Sequence, residues 1–525
     1  MFKFNLIINV LIFLYLWQTP KQLEASKILG IFALPQPAKY TVTTSLVNAL
    51  HERGHDITLI IRCNNQLDVS AHIRKIVIED REEITKDFFK FSCENLDQSF
   101  YHKLQNIFGK GAQTVVNIFN NTQFRDIMKN EKFDMIMLDT FMTEALYGLG
   151  EYFNASLVGV SNFGSLTSLD TMVGNVSPLS FIPSLFIQHT FEVTFWQRCL
   201  NVALYAVDVM TYELLQKPLQ RTIYKDLFPN ATLTFDQACR NFALVLLNQH
   251  FSLSFARPYV PNMIEVAGLH IKEELQQLPF NIQQFLDNSS QGIIYFYLGV
   301  SEDLFNANPN NSLIVLKTLK DLNYNIVWNM HYMSIEFQKF DNILHVRNVS
   351  HYSLLAHPYI KLFVTNGELL SIIEAVYYAK PILGLPMFAD QHVNINMAIK
   401  TGYGLGLILK QLNELKLKQT IFELLNNSRY ANKIKELSNV FHDQPIKPLD
   451  KSIYWLEYVL RHKGAKQLRV KGRFLNFWQF HNIDVFIAYL IVFAILVFII
   501  WFITKSIYLL LHRSKQNLQN KVKIN

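Results

Sequence analysis

Residues 361–394 read KLFVTNGELLSIIEAVYYAKPILGLPMFADQHVN. The apolar run Leu362-Phe363-Val364 has the composition of a buried parallel strand. Asn366-Gly367 ends it, and Glu368 to Tyr378 carries helical spacing. Pro381 opens a second apolar run, which Pro386 closes. The stretch therefore reads as strand, turn, helix, strand, with the turn at the carboxyl end of a strand. Backbone N–H groups at such a helix start attract anions, phosphate above all. Glu374 falls two turns into the helix, where a carboxylate can accept two hydroxyl protons from a ribose. Asp390-Gln391 follow the next strand and belong to the same rim.

Outward from this unit the chain alternates in the same way. Residues 27–34 (KILGIFAL) read as a strand, 41–53 as a helix closed by Gly54, and 57–61 as a second strand. That βαβ opening predicts a parallel sheet. Residues 70–130 have mostly helical patterning. A strand is predicted at 135–138, a helix from Met142, and strands at 157–160 and 244–247. The aromatic-rich stretch 165–240 predicts helices lining a cleft. Prolines 258 and 261 and Gly268 mark Arg257 to His270 as a linker. A second alternating set follows, with strands at 293–298, 326–328, 343–346 and 362–364 and helices at 313–322 and 351–356. Residues 448–469 read as one amphipathic helix.

The 525 residues are enough for two domains of ordinary size, and half of them are hydrophobic. The net charge is +7, but Lys505, Arg513, Lys515, Lys521 and Lys523 crowd the last 21 residues without an acid among them. The remainder is close to balanced, so nothing calls for nucleic acid and no such partner is expected. Cys63, Cys93, Cys199 and Cys239 show no metal-ligand spacing, so no metal is expected; one or two disulfides and four free thiols both remain open.

Both ends read as addresses. Lys3 followed by the apolar run 6–16 and Leu23-Glu24-Ala25 reads as a secretory signal over 1–25. Residues 485–504 contain no charge, long enough to cross about 30 Å of hydrocarbon. Phe474, Phe477, Trp478 and Phe480 precede them as an interfacial belt, and the basic tail 505–525 reads as cytoplasmic. The terminus Lys521-Val522-Lys523-Ile524-Asn525 resembles the dilysine signal that returns membrane proteins to the endoplasmic reticulum; a merely basic tail is the plain alternative. The expected placement is single-pass type I, with the bulk of the chain lumenal. Acceptor sequons at Asn120, Asn154, Asn175, Asn230, Asn288, Asn310, Asn348 and Asn426 all precede the span.

The opening stretch resembles the signature of the animal UDP-glycosyltransferases, F-x-T-H-G-G-x-x-S-x-x-E, a Pro-rich strand, then D-Q. Phe363, Thr365, Gly367, Ser371, Glu374, Pro381, Pro386, Asp390 and Gln391 match in order and spacing. Arg257 to His270 resembles the family's interdomain segment, and 448–469 its terminal helix, which crosses back onto the first domain. The resemblance implies the α/β GT-B fold: two Rossmann-like domains facing a cleft, plus a C-terminal transmembrane helix. On that reading 27–270 is the acceptor domain, 285–445 the nucleotide-sugar domain, 446–480 a return and juxtamembrane segment, 485–504 the span and 505–525 the tail. It further implies transfer of a hexose, glucose or glucuronate, from a UDP-sugar co-substrate to a small lipophilic acceptor, with no other cofactor. Homo-oligomers, or hetero-oligomers with related transferases, are implied as partners.

The departures fall on chemistry. The family's general base aligns with Lys39 and its orienting acid with Asp139. A lysine facing a carboxylate stays protonated and cannot take a proton. A desolvated neutral Lys39, and one pointing into solvent, are the alternatives. The family's uracil-binding W-x-P-Q aligns with Asn348 to His351, so the stacking ring is absent. Gly299 stands in the family's phosphate loop, but Val300 follows it. The family's His and second Gly at the helix start are Asn366 and Glu368. The resemblance thus assigns Gly299, Asn348, His351, Asn366, Gly367, Ser371, Glu374, Asp390 and Gln391 to the nucleotide-sugar. Glu368 sets a carboxylate where the diphosphate would lie, which supports the alternative of a silent relative that binds lipophilic ligands or partners an active transferase.

Overall fold

The structure is a computed structural model. It describes residues 25–33, 40–62, 68–78, 100–184, 194–299, 305, 309–329, 340–347, 349–387 and 390–522. Residues 1–24 of the signal reading, Lys39, Asn348, Val300, Cys63, Cys93 and the last three residues of the tail lie outside the described residues. Two compact units divide the chain, one ending at Val470 and one beginning at Lys471.

The first unit holds two parallel sheets. In the first, β1 (Lys27–Phe32) leads through helix α1 (Tyr40–Glu52) to β2 (Asp56–Ile61) and β3 (Arg74–Val77). The chain then crosses to β4 (Met135–Asp139), β5 (Ser156–Ser161), helix α2 (Phe195–Thr211), β6 (Phe242–Leu247) and β7 (Met263–Glu265). Strand order is β3-β2-β1-β4-β5-β6-β7, every pair parallel. Helices cover both faces, so β6 is buried at all six positions of FALVLL. Alternation splits each strand between two cores: Ile136 and Leu138 of β4 join one, Met135 and Met137 the other.

The second sheet repeats the plan with β8 (Ile293–Tyr297), β9 (Asn325–Asn329), β10 (Ile343–Val346), helix α3 (His351–Ala356) and β11 (Ile360–Thr365). Helix α4 (Leu369–Tyr377), β12 (Ile382–Gly384), helix α5 (Gln391–Thr401) and β13 (Gly404–Gly406) complete it. Its order is β10-β9-β8-β11-β12-β13. Each sheet reverses direction once, between β1 and β4 and between β8 and β11. Carboxyl ends of strands at such a switch point leave a crevice for ligands. Asp139 ends β4, Gly299 follows β8, and Asn366-Gly367 follows β11.

Helix α6 (Pro448–Arg461) returns to the first sheet, burying Ile453, Leu456 and Val459 in the same core as Met137 and Leu244. Glu457 lies 3.6 Å from Arg53 and 3.8 Å from His55 at the end of α1. Helix α7 (Ile483–Val522) belongs to the second unit; its stretch Ile483–Ser514 contains 18 consecutive residues with a mean hydropathy of 3.1 and is long and apolar enough to cross a membrane.

Several boundaries differ from the sequence reading. The stretch predicted mostly helical contains β3, whose four residues are too few to show a period. The linker contains β7, held by pairing with β6 rather than by its own pattern. The helix predicted from Met142 is a 3-10 turn over Glu144–Gly148 followed by one short helix. Helix α6 stops at Arg461, because Lys463, Gly464 and Ala465 take φ values of 46, 93 and 42°. Among the described cysteines Cys199 is free and exposed, Cys239 free and buried.

One buried acid faces the first core. Glu144 is 1% exposed and accepts a hydrogen bond from the Gln216 amide, while its Oε2 has no partner. Burial pushes its carboxyl up to about 7, against the pull of the backbone and Gln216 hydrogen bonds. A raised carboxyl stabilises the fold fully below its unfolded value of 4.5 and loses that contribution as pH rises through 7. The loss amounts to about 3 kcal/mol. Glu144→Gln is therefore expected to flatten part of the fall in melting temperature between pH 5 and pH 8, measured on the full chain in detergent; Glu265, also raised to about 7 by burial, keeps its own share.

Candidate functional site

The turn after β11 is closed by its own side chains. Asn366, 1% exposed, turns its Oδ1 to accept the Glu368 N–H at 3.1 Å, and the Thr365 hydroxyl accepts the Gly367 N–H at 3.3 Å. Gly367 takes φ +87°, and a Cβ there would meet Ile395 Cγ1 at 2.6 Å, so no other residue fits. From α5, the Asn394 amide donates to Gly367 O at 3.0 Å and to Asp390 Oδ2 at 2.9 Å. Asp390 stands at the N-cap of α5 without capping it. Gln391 is buried, and its Oε1 accepts the Met387 N–H at 2.9 Å. Gln391 thus props the loop after β12 with its carbonyl oxygen. Ser371 is buried one turn into α4.

Glu368 is the N-cap residue of α4 by position but makes no side-chain cap bond. Its Oε2 lies 3.7 Å from the point where a Cβ on Gly299 would stand, and Gly299 itself takes φ +55°. The carboxylate therefore sits over the turn that follows β8, across the switch point. Two unit charges about 5 Å apart at an effective dielectric near 20 interact by roughly 3 kcal/mol. A second negative charge placed at this helix start would feel a repulsion of that order from an ionised Glu368.

Glu374 faces the opposite way, into the protein, and both its oxygens are engaged. His351 Nε2 donates to Oε2 at 2.7 Å, and His270 Nε2 to Oε1 at 3.2 Å. His351 Nδ1 lies 2.7 Å from the Tyr295 hydroxyl, which accepts from the Asn329 amide at 3.0 Å. His351 thus bridges the Tyr295 hydroxyl and the Glu374 carboxylate through its two ring nitrogens. Burial works against the Glu374 charge, yet the charge and hydrogen bonds of His351 and His270 outweigh it and hold the carboxyl at about 2. His270 is itself 1% exposed, and its Nδ1 has no partner.

On the first sheet Asp139 is buried at the end of β4. Its Oδ1 accepts the Phe141 N–H at 2.9 Å and its Oδ2 the Asn162 amide at 3.3 Å. The expected pairing with Lys39 lies outside the described residues, as does Asn348. The two rims are tied nonetheless. Tyr352, next to His351, hydrogen-bonds Thr41 at the start of α1. Leu370 of α4 is buried in the first sheet's core, and Lys272 pairs with Asp68. Among the described residues no three His, Cys, Asp or Glu side chains converge as metal ligands.

The geometry thus groups His351 with Glu374, Gly299 with the α4 start, and Gly367 with Asp390 and Gln391, while Asp139 stands on the other sheet. His270, Tyr295 and Asn329 are additions that sequence reasoning missed. His270 was visible as the last residue of the linker motif, but nothing local marks it as a partner of a residue 104 positions away.

The family model for UDP-glucoronosyl and UDP-glucosyl transferases matches residues 33–519. The chain belongs to this family. A UDP-glucosyltransferase 2 from Dactylopius coccus is 27% identical over 488 residues, covering 92% of this chain and 93% of that protein. Human UDP-glucuronosyltransferase 2B15 is 26% identical over 478 residues, 87% of this chain and 88% of that protein. Among solved structures, a Phytolacca americana UGT2 complexed with UDP-2fluoro-glucose and pterostilbene superposes with a TM-score of 0.54 at 12% identity, over 83% of this chain and all of that one. The two parallel sheets with their helices are the GT-B fold of the family.

Removing the Glu374 carboxylate strands two histidine N–H groups. Glu374→Ala is expected to cost about 3 kcal/mol at pH 7. A depressed carboxyl stabilises above pH 4.5 and loses that contribution as pH falls towards 2, so the melting temperatures of wild type and variant should converge in acid.

Proposed function

We propose that the chain transfers a hexose, glucose or glucuronate, from a UDP-sugar to a small lipophilic acceptor. The observation that carries this reading is an ionised, buried Glu374 behind a glycine turn at a parallel-sheet switch point, in a chain of this family. On this proposal 27–270 binds the acceptor and 285–445 the nucleotide-sugar. Glu374 holds the ribose through its His351 edge, Gly299, Asn366, Gly367 and Ser371 border the diphosphate, Asn348 borders the uracil, and Asp390 and Gln391 border the sugar. With Lys39 at the family's base position, Asp139 is the proton acceptor.

A second reading, a silent relative that binds lipophilic ligands or pairs with an active transferase, is favoured by three placements. Glu368 sits over the Gly299 turn, both Glu374 oxygens are held by histidines, and both Asp139 oxygens accept protein hydrogen bonds. Calorimetry of UDP with the full chain separates the two. Transfer predicts binding and turnover of the unmodified chain. The silent reading predicts neither, with Glu368→Gly raising UDP affinity by about 100-fold, the ratio that roughly 3 kcal/mol sets. Combined with Lys39→His and Asn366→His, that substitution should then restore turnover. Unchanged UDP affinity in Glu368→Gly would rule out Glu368 as the obstruction.

We place the protein in the endoplasmic reticulum membrane, type I, anchored by the 485–504 stretch within α7. In support, Asn120, Asn154, Asn230, Asn288, Asn310 and Asn426 are exposed. Asn175 is buried, its amide donating to Asp170 Oδ1 at 2.9 Å and its Oδ1 accepting the Val260 N–H at 3.1 Å. Glycopeptide mass spectrometry is expected to find glycans among the exposed six and none at Asn175.

A further inference from the structure

Helix α2 has its polarity reversed. Trp196, Cys199, Leu200, Ala203, Val207, Met210 and, in the π turn that continues it, Leu214 recur at spacings of three and four and form one stripe. All are exposed, Trp196 to 78%, Leu214 to 70% and Met210 to 60%. The opposite side carries Asn201, Tyr205, Asp208, Tyr212 and Gln216, and it faces the protein. Asn201 is 0% exposed: its amide donates to Leu179 O and Ile182 O, both at 2.7 Å, and its Oδ1 accepts the Ser184 N–H at 2.7 Å. Gln216 bonds Glu144, and Asp208 is raised by burial against a hydrogen bond from Thr167. Water-facing helices of soluble units put the polar side out. Here every turn puts it in.

What covers the stripe can be argued from its chemistry. It runs about 27 Å without a charge or a strong hydrogen-bonding side chain. A protein partner normally meets a polar rim and about one hydrogen bond per 100–200 Å². At its amino end Phe195 and Trp196 form an edge-to-face pair, 5.2 Å between centroids, of the ring types that favour the membrane interface. Glu213, beside the stripe, is neutralised by Lys217 at 2.8 Å. The same chain carries α7, separated from Val470 by only twelve residues, 471–482. A unit on so short a tether meets the bilayer at high effective concentration.

We propose that the α2 stripe lies in the surface of the phospholipid bilayer to which α7 anchors the chain, as a second, in-plane membrane contact. It does not depend on whether the site turns over. The test is photo-crosslinking of the full chain in phosphatidylcholine vesicles containing a phosphatidylcholine with a diazirine in one acyl chain. Lipid adducts are expected on the peptide from Cys199 to Arg221 as well as on α7, with none on the exposed, polar Ser428–His442 helix. Leu200→Asp with Val207→Asp should lower the adduct yield on that peptide about tenfold while α7 is labelled as before. Adducts confined to α7 in the unsubstituted chain would overturn the proposal. So would oxidative Cys199–Cys199 crosslinking between copies without lipid adducts, which would make a second copy the occupant.

Discussion

A carboxylate buried at the rim of a parallel sheet has to be paired, and Glu374 is paired from two sides. One histidine comes from the start of α3, the other from the segment that joins the two sheets. Through His351 the pairing reaches Tyr295 on β8 and Asn329 on β9; through His270 it reaches the first sheet's edge. The switch point of the second sheet is thereby locked to the element that sets where the two sheets meet. Tyr352 on Thr41 and Leu370 in the first core add contacts along the same seam.

This lock bears on chemistry as well as on architecture. A carboxylate whose oxygens already accept two charged or polar N–H groups offers a vicinal diol only its remaining lone pairs. Glu368 adds a second restraint, since it brings a negative group to a helix start that would otherwise favour anions. Family membership settles the scaffold; what the site does lies with its individual side chains.

The reversed helix shows the same separation between local pattern and use. Its period is that of any amphipathic helix, and the sequence reading of 165–240 goes no further than helices lining a cleft. Only the contacts of Asn201 and Gln216 reveal that the polar side is the one satisfied by protein.

By itself the sequence determined the alternation of strands and helices, the parallel sheets, the glycine turn after β11 and the apolar helix near the carboxyl end. These rest on periodicity and on turn residues, which act over a few positions. It also brought Gly367, Ser371, Glu374, Asp390 and Gln391 into one motif, because they fall within 25 residues of one another. The edge strands β3, β7 and β13 escaped it, since three or four residues take their extended form from a neighbour rather than from their own pattern. The partners of Glu374 were decided by tertiary structure alone: they arrive from 23 and 104 positions away, and no local rule links a linker histidine to a helix acid. The same holds for the face of α2, because burial depends on what the fold sets beside a helix, and the helix's own residues specify only that its two sides differ.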